Sequence, residues 1–202
     1  MKFTGSKVKK SRALGIPLTP KADRYLNKRP YPPGQHGLQQ QMRRRKMSPY
    51  KMQLTEKQKL RAQYNIHERQ MRNYYAKASR KGDLINSLVQ LMECRLDAVI
   101  LRAGLARSIY ASRQYVNHGH VLVDGKKVDI PSYQVKPDQV VSIKEKSRRM
   151  DCFQIALDTA PNCPPYVERD KKNFSAKFLY NPPREEVPVI CEVPLVIEFY
   201  SR

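Results

Sequence analysis

At 202 residues the chain can hold one or two small domains with cores of their own. Its formal net charge of +21, from 39 Lys+Arg against 18 Asp+Glu, is far from that of an ordinary soluble enzyme and points to a polyanion, nucleic acid before anionic membrane. No run of about 18 apolar residues is present, so no membrane-spanning helix is expected. The N-terminal stretch lacks the apolar core of a secretory signal, and Pro17 and Pro20 break it without an amphipathic period, which argues against a transit peptide. Cys94, Cys152, Cys163 and Cys191 stand singly, with no CxxC pair, so separate thiols are expected, with neither metal ligands nor a disulfide framework.

The positive charge is unevenly placed. Residues 1–82 hold 22 Lys+Arg and 3 Asp+Glu, a net +19, whereas residues 83–202 hold 17 and 15, a net +2. Residues 1–48 are rich in Lys, Arg, Pro, Gly and Gln and show no sustained apolar period, so alone they could not offset their ordering entropy. They read as an arm that orders against a polyanion, with Lys2, Lys9, Lys10 and Arg12 supplying charge near its start. Within the arm, Arg29-Pro30-Tyr31-Pro32-Pro33-Gly34-Gln35-His36-Gly37 is stiffened by its prolines. There Arg29, Tyr31, Gln35 and His36 can stack on or hydrogen-bond to an RNA strand. Arg43, Arg44, Arg45 and Lys46 follow as a basic run suited to phosphate contact.

Ser48-Pro49 predicts an N-cap followed by proline in the first helical turn. The helix that follows has an apolar face with Tyr50, Leu54, Leu60 and Tyr64, carries Lys57, and presents Lys51, Lys59 and Arg61 on another face, with Asn65 as its stop. A second helix, from about His67 to Arg80, turns Met71, Tyr74, Tyr75 and Ala78 inward and Arg69, Arg72 and Lys77 outward. Gly82 ends it and Asp83 can cap the next.

In 88–103, Leu88, Leu91, Met92, Leu96, Val99 and Ala103 recur at three and four residues, which predicts one buried helix face stopped by Gly104. Ser108 caps a following helix that Gly119 ends. The period then changes: His120–Val123, the Asp124-Gly125 turn and Lys126–Val128 predict a hairpin, and Val140–Ile143 a third strand after the Pro137-Asp138 turn. Arg95, Arg107, Arg113, Gln114, His118, His120, Lys126 and Lys127 lie on or at the ends of these elements, as a phosphate-contacting edge requires. Arg149–Leu157 reads as a short helix. Phe174, Ala176 and Phe178 alternate as a half-buried strand that can pair with Val167. The apolar end, Leu195–Arg202, leaves helix and strand both open and is expected to fold back on the 49–82 bundle.

The segment 93–148 resembles the RNA-binding module named after small-subunit ribosomal protein four, carried by Arg113, Gln114, Val116, His118, Gly119, His120, Val121, Val123, Asp124 and Gly125. The family usually has Asn where Asp124 stands, and both suit the turn. RPYPPGQHG at 29–37, LTEKQKLRAQYNIHERQMRNYYAKAS at 54–79 and the final IEFYSR are similar to the bacterial-type members of that ribosomal family. The resemblance implies an α+β fold of a basic arm (1–48), a discontinuous helical domain (49–92 plus 181–202) and an inserted αα-β RNA-binding module with a small antiparallel sheet (93–180, core 93–148). The charge split makes the module one jaw of a two-part RNA clamp.

By function, the resemblance implies a cytoplasmic, structural, primary rRNA-binding component of the bacterial small subunit. Such a protein nucleates assembly of the 5′ domain of small-subunit rRNA, contributes to fidelity, lines the path of incoming mRNA with basic residues and neighbours ribosomal protein five; translational autorepression is a further candidate role. Many relatives bind zinc through four cysteines ahead of the RPYPPGQHG motif; here the first cysteine is Cys94, so no zinc, no cofactor and no small-molecule substrate are expected. Arg95-Leu96-Asp97 also resembles the surroundings of the catalytic aspartate in pseudouridine synthases, but no room remains for their catalytic domain. His118 and His120 lack a third metal ligand at suitable spacing. No GxGxxG, Walker A or GxSxG pattern occurs.

Overall fold

The computed structural model describes residue 3, residues 5–42 and residues 47–201. In chain order the helices are α1 (Lys7–Leu14), α2 (Pro20–Lys28), α3 (Gly37–Met42), α4 (Pro49–Gln63), α5 (Glu68–Ala78), α6 (Leu84–Glu93), α7 (Leu96–Arg102) and α8 (Ile109–Asn117). Strands β1 (Val121–Val123), β2 (Lys126–Lys127) and β3 (Val140–Ile143) follow, then α9 (Glu145–Arg148), α10 (Asp151–Asp158), β4 (Val167–Asp170) and β5 (Ser175–Phe178). A 3-10 turn at Arg184–Glu186 and α11 (Val193–Tyr200) complete the α+β chain. It divides into two compact units, Met1–Ala76 with Val189–Arg202, and Lys77–Pro188. The division falls in the last turn of α5, so α6 and residues 181–188, expected with the helical domain, go with the sheet.

In the first unit, the arm expected to order only against a polyanion contains two helices of its own, α1 and α2, packed on each other, with α1 also against α4. The Ser6 hydroxyl accepts from the Lys9 N–H and that of Thr19 from the Ala22 N–H, while Pro20 occupies the first turn of α2. Ser11 is fully buried and its hydroxyl accepts from the Leu18 N–H, which folds the α1–α2 link inward and buries Ile16, Leu18 and Ala22. The Ser48 cap and Pro49 open α4 as predicted, and Asn65 takes φ 47° at its end. The undecided C-terminal stretch is a helix, α11, with Pro194 in its first turn, and it packs on α4. Phe199 meets Tyr50 at 5.9 Å between ring centroids and Tyr200 meets Tyr75 at 5.1 Å.

In the second unit, the single helix expected over 88–103 is two. Cys94 and Arg95 break it because tertiary hydrogen bonds replace the helical ones there. Arg95 bridges Gln134, the Leu96 N–H donates to Tyr133 O at 2.9 Å and the Asp97 N–H to Pro131 O at 3.2 Å. The apolar period runs through the break, so Leu88, Met92, Leu96 and Val99 are all fully buried. Ser108 caps α8 by accepting from the Ala111 N–H. Asp124 and Gly125 take φ 48° and 78°, as a type I′ hairpin turn requires. The sheet is antiparallel in the order β2-β1-β3-β5-β4, with Val167 opposite Phe178 as expected.

Candidate nucleic-acid interface

The charge is best read from the carboxylates. The first unit holds 20 Lys+Arg against five acids, Asp23, Glu56, Glu68, Glu192 and Glu198. Three of the five are already engaged. Glu68 pairs with Lys57 at 3.2 Å and Arg61 at 3.0 Å and accepts from the Tyr200 hydroxyl at 2.7 Å. Glu56 pairs with Lys59 at 2.7 Å and accepts the Glu192 N–H, and Glu198 accepts from the Gln53 amide. Burial alone would raise the Glu68 carboxyl, but the Tyr200 and Lys57 hydrogen bonds and the Lys57 and Arg61 charges hold it below its ordinary value. Lys9, Lys21, Arg24, Lys28, Arg29, Lys51 and Arg69 all stay exposed. The fold cannot neutralise them internally.

The expected contacts in this unit separate into three groups. Lys9, Arg29, Gln35, His36, Lys51, Arg69 and Arg72 are exposed, whereas Lys59 and Arg61 are half-buried in the pairs above. Lys57 is a correction: it is buried, with its ammonium 3.9 Å from the centre of the Phe199 ring and paired to Glu68, so it ties α11 to α4 and α5. Arg12 donates from Nε to Tyr31 O at 3.1 Å and from Nη2 to Pro32 O at 3.3 Å, and stacks on the Tyr31 ring at 4.8 Å. It therefore clamps the proline-rich motif and covers one face of the aromatic ring expected to stack on bases. Gly37 is obligatory in this fold, because a Cβ there would stand 1.9 Å from Pro32 O. Burial, and after it the Arg61 charge, lowers the half-buried Lys10 ammonium below its ordinary range. Lys2, Arg43, Arg44, Arg45 and Lys46 lie outside the described residues.

In the second unit, with 19 Lys+Arg against 13 Asp+Glu, the turn after α8 gathers the expected residues. Gly119 takes φ 69°, and a Cβ placed on it would lie 2.5 Å from Cε of Lys127, so the Lys127 stem lies across the C-terminal turn of α8. His118 and His120 flank that glycine, with their rings 6.1 Å apart, and the Lys127 ammonium lies 3.9 Å from Asp129. His120 Nδ1 is 2.9 Å from the Ser147 hydroxyl, and burial, with the His118 and Lys144 charges, lowers its pKa below the usual histidine value. Gln114 on α8 and His118 just after it are exposed, as are Arg107 before the helix and Lys126 on the hairpin, while Arg113 is half-buried with Nη1 4.0 Å from Asp97.

Arg95 is the second correction. It is fully buried and donates from Nε and Nη2 to Asp97 at 2.9 and 2.5 Å, and Asp97 is equally enclosed, its main-chain oxygen accepting the Ser112 hydroxyl. The pair fixes the start of α7 under α8 and presents no cation to a surface ligand. A matching pair, Glu93 with Arg102 at 2.7 Å, accepts the buried Tyr166 hydroxyl at 3.0 Å and joins α6 and α7 to the segment before β4. Sequence reasoning passed over exposed cations on α2 and around α9, namely Lys21, Arg24, Lys28, Lys146 and Arg149. The Thr19-Pro20 start of α2 was the signal that could have placed the first three on a helix.

Residues 2–93 match the profile of the ribosomal protein S4/S9 N-terminal domain and residues 94–141 that of the S4 domain. The small ribosomal subunit protein uS4 of Micrococcus luteus is 49% identical over 201 residues, covering 96% of this chain and 95% of its own length. That of Tropheryma whipplei strain Twist is 50% identical over 202 residues, covering 97% of each chain. The protein of the same name from Streptomyces griseus is 49% identical over 201 residues, again covering 97% of each. With that identity along nearly its whole length, the chain belongs to the small ribosomal subunit protein uS4 family.

Proposed function

We propose that the chain is a structural, rRNA-binding constituent of the small ribosomal subunit, working in the cytoplasm as part of that particle. The family is one of ribosomal structural proteins and not of enzymes. The observation that carries the reading is the surplus of exposed cations on the first unit, whose carboxylates are largely taken by internal pairs. Such a surface favours a polyanionic partner, and its lysines and arginines gain affinity by releasing counterions from phosphates. The α8–hairpin corner adds Gln114, His118, Lys126 and Lys127, groups suited to phosphate and 2′-hydroxyl contacts on a folded RNA.

From the family resemblance follow finer roles: early binding to a multi-helix junction in the 5′ domain of small-subunit rRNA, a contribution to fidelity, contact with incoming mRNA, a place beside ribosomal protein five, and translational autorepression. The protein should bind a folded 5′-domain rRNA fragment tightly, with affinity falling steeply as salt rises, and should sediment stoichiometrically with small subunits. Equal affinity for unrelated RNA of the same length at physiological salt, or absence from the small-subunit peak, would overturn this reading.

A further inference from the structure

The strand register brings Lys144, Lys171 and Lys172, which belong to no motif in the sequence, to the same end of the sheet as His120 and Lys127. Val121 in β1 faces Ile143 in β3, Ser142 faces Ser175 in β5, and Ser175 faces Asp170 in β4. One end of the sheet therefore collects His120, Lys144, Phe174 and the Lys171-Lys172 tip of the β4–β5 hairpin. Backbone hydrogen bonds stitch this rim: the Lys144 N–H donates to His120 O at 3.0 Å and the Ile143 N–H to Phe174 O at 3.0 Å. Lys127 closes β2 toward the same end, opposite Leu122. Four interstrand spacings of about 4.8 Å make the rim about 19 Å long.

The hairpin tip is held in shape by its own turn. Asp170 accepts the Lys172 N–H at 2.9 Å, the Asn173 N–H at 3.3 Å and the Asn173 amide at 2.6 Å, so the turn folds around an exposed carboxylate that offsets part of the tip charge. Lys171 and Lys172 are left exposed at the tip, and Phe174 is held at φ 50°, a conformation rare for an aromatic residue. Glu145, next to Lys144, and Asp129, 3.9 Å from Lys127, offset part of the rim charge. The opposite end of the sheet is balanced: Asp138 pairs with Lys177 at 2.9 Å, and Asp124 accepts from Gln139 and the Val140 N–H.

We propose that the β4–β5 tip, through Lys171 and Lys172, is an RNA-phosphate contact lying beyond the 94–141 S4-domain stretch, and that it extends the α8–hairpin corner along this rim. The proposal rests on the RNA-binding reading above. A protein neighbour fits the tip less well, because lysine is depleted from protein interfaces and the tip offers no exposed apolar side chain.

The test uses the full chain and a folded 5′-domain rRNA fragment, with affinity measured across a salt series. K171Q/K172Q should weaken binding about tenfold and reduce the slope of log K against log salt by about 1.5 to 2, near one unit per lost phosphate contact. K136Q, at the opposite end of the sheet, should change neither. Affinity and slope unchanged in both K171Q/K172Q and K171E/K172E would overturn the proposal and leave the tip for an acidic protein neighbour. An equal loss in K136Q would overturn it too, by showing a diffuse effect of net charge. Wild-type protein failing to bind the fragment would remove the parent reading and this one with it.

Discussion

Replacing Asp97 should damage the fold, not the RNA surface. Both Asp97 and Arg95 have no exposed side-chain area, and Arg95 places two donors on the carboxylate at 2.9 and 2.5 Å, with Arg113 approaching at 4.0 Å. Burial pushes the Asp97 carboxyl up, against the pull of Arg95 and Arg113. Breaking a buried pair from one side costs about 3–5 kcal/mol, because the remaining charge is left without compensation. Asp97→Asn keeps one amide oxygen for Arg95 and should fall near 3 kcal/mol, whereas Asp97→Ala should approach about 5 kcal/mol. At about 4 °C per kcal/mol for a unit of this size, the melting temperature drops by about 12–20 °C. Thermal unfolding followed by circular dichroism on the full chain measures it. The double change Arg95→Met with Asp97→Leu should recover much of the loss. A single-mutant cost below about 1 kcal/mol would refute the reasoning, since the pair would then be solvated or dispensable.

Gly119→Ala should lower stability by about 1–2 kcal/mol, from the left-handed backbone and from displacing the Lys127 stem, and should weaken RNA binding more than Gly82→Ala, where a Cβ meets open space. Glu68 sits below its ordinary carboxylate value in the fold, so its contribution is present above that value and is lost as pH falls through the folded one; Glu68→Gln should flatten the acid side of the stability curve. His120, lowered in the free protein, should titrate at higher pH once phosphate lies beside it; nuclear magnetic resonance of its ring protons with and without RNA checks the direction.

Local chemistry made much of the fold legible. Ser48, Asp83 and Ser108 each cap the helix they precede, and Asp124-Gly125 makes its turn, because these signals act within four residues. The break between α6 and α7 was hidden because the apolar residues stay in phase across it, while the groups that interrupt the helix, Pro131, Tyr133 and Gln134, are almost forty residues away. The helices α1 and α2 were missed because they bury little: Ser11 and Ala22 alone among their residues are buried, so no apolar period announces them. Of the site residues, Arg95 and Lys57 misled because a cation looks the same in sequence whether it faces solvent or a distant carboxylate; Lys57 is enclosed by Phe199, from the far end of the chain.

The central claim is that the first unit supplies most of the electrostatic affinity for RNA. Deleting residues 1–47 would test it poorly, since Ile16, Leu18 and Ala22 are part of a core. Matched sets of exposed cations test it cleanly: Lys9, Lys21 and Lys28 changed to Gln in one variant, Arg107, Lys126 and Lys127 in another. Affinity for the folded 5′-domain fragment, measured from low to high salt, should fall further and lose more salt slope in the first variant. A larger loss in the second would show that the α8–hairpin corner holds the RNA largely alone, and would contradict the claim.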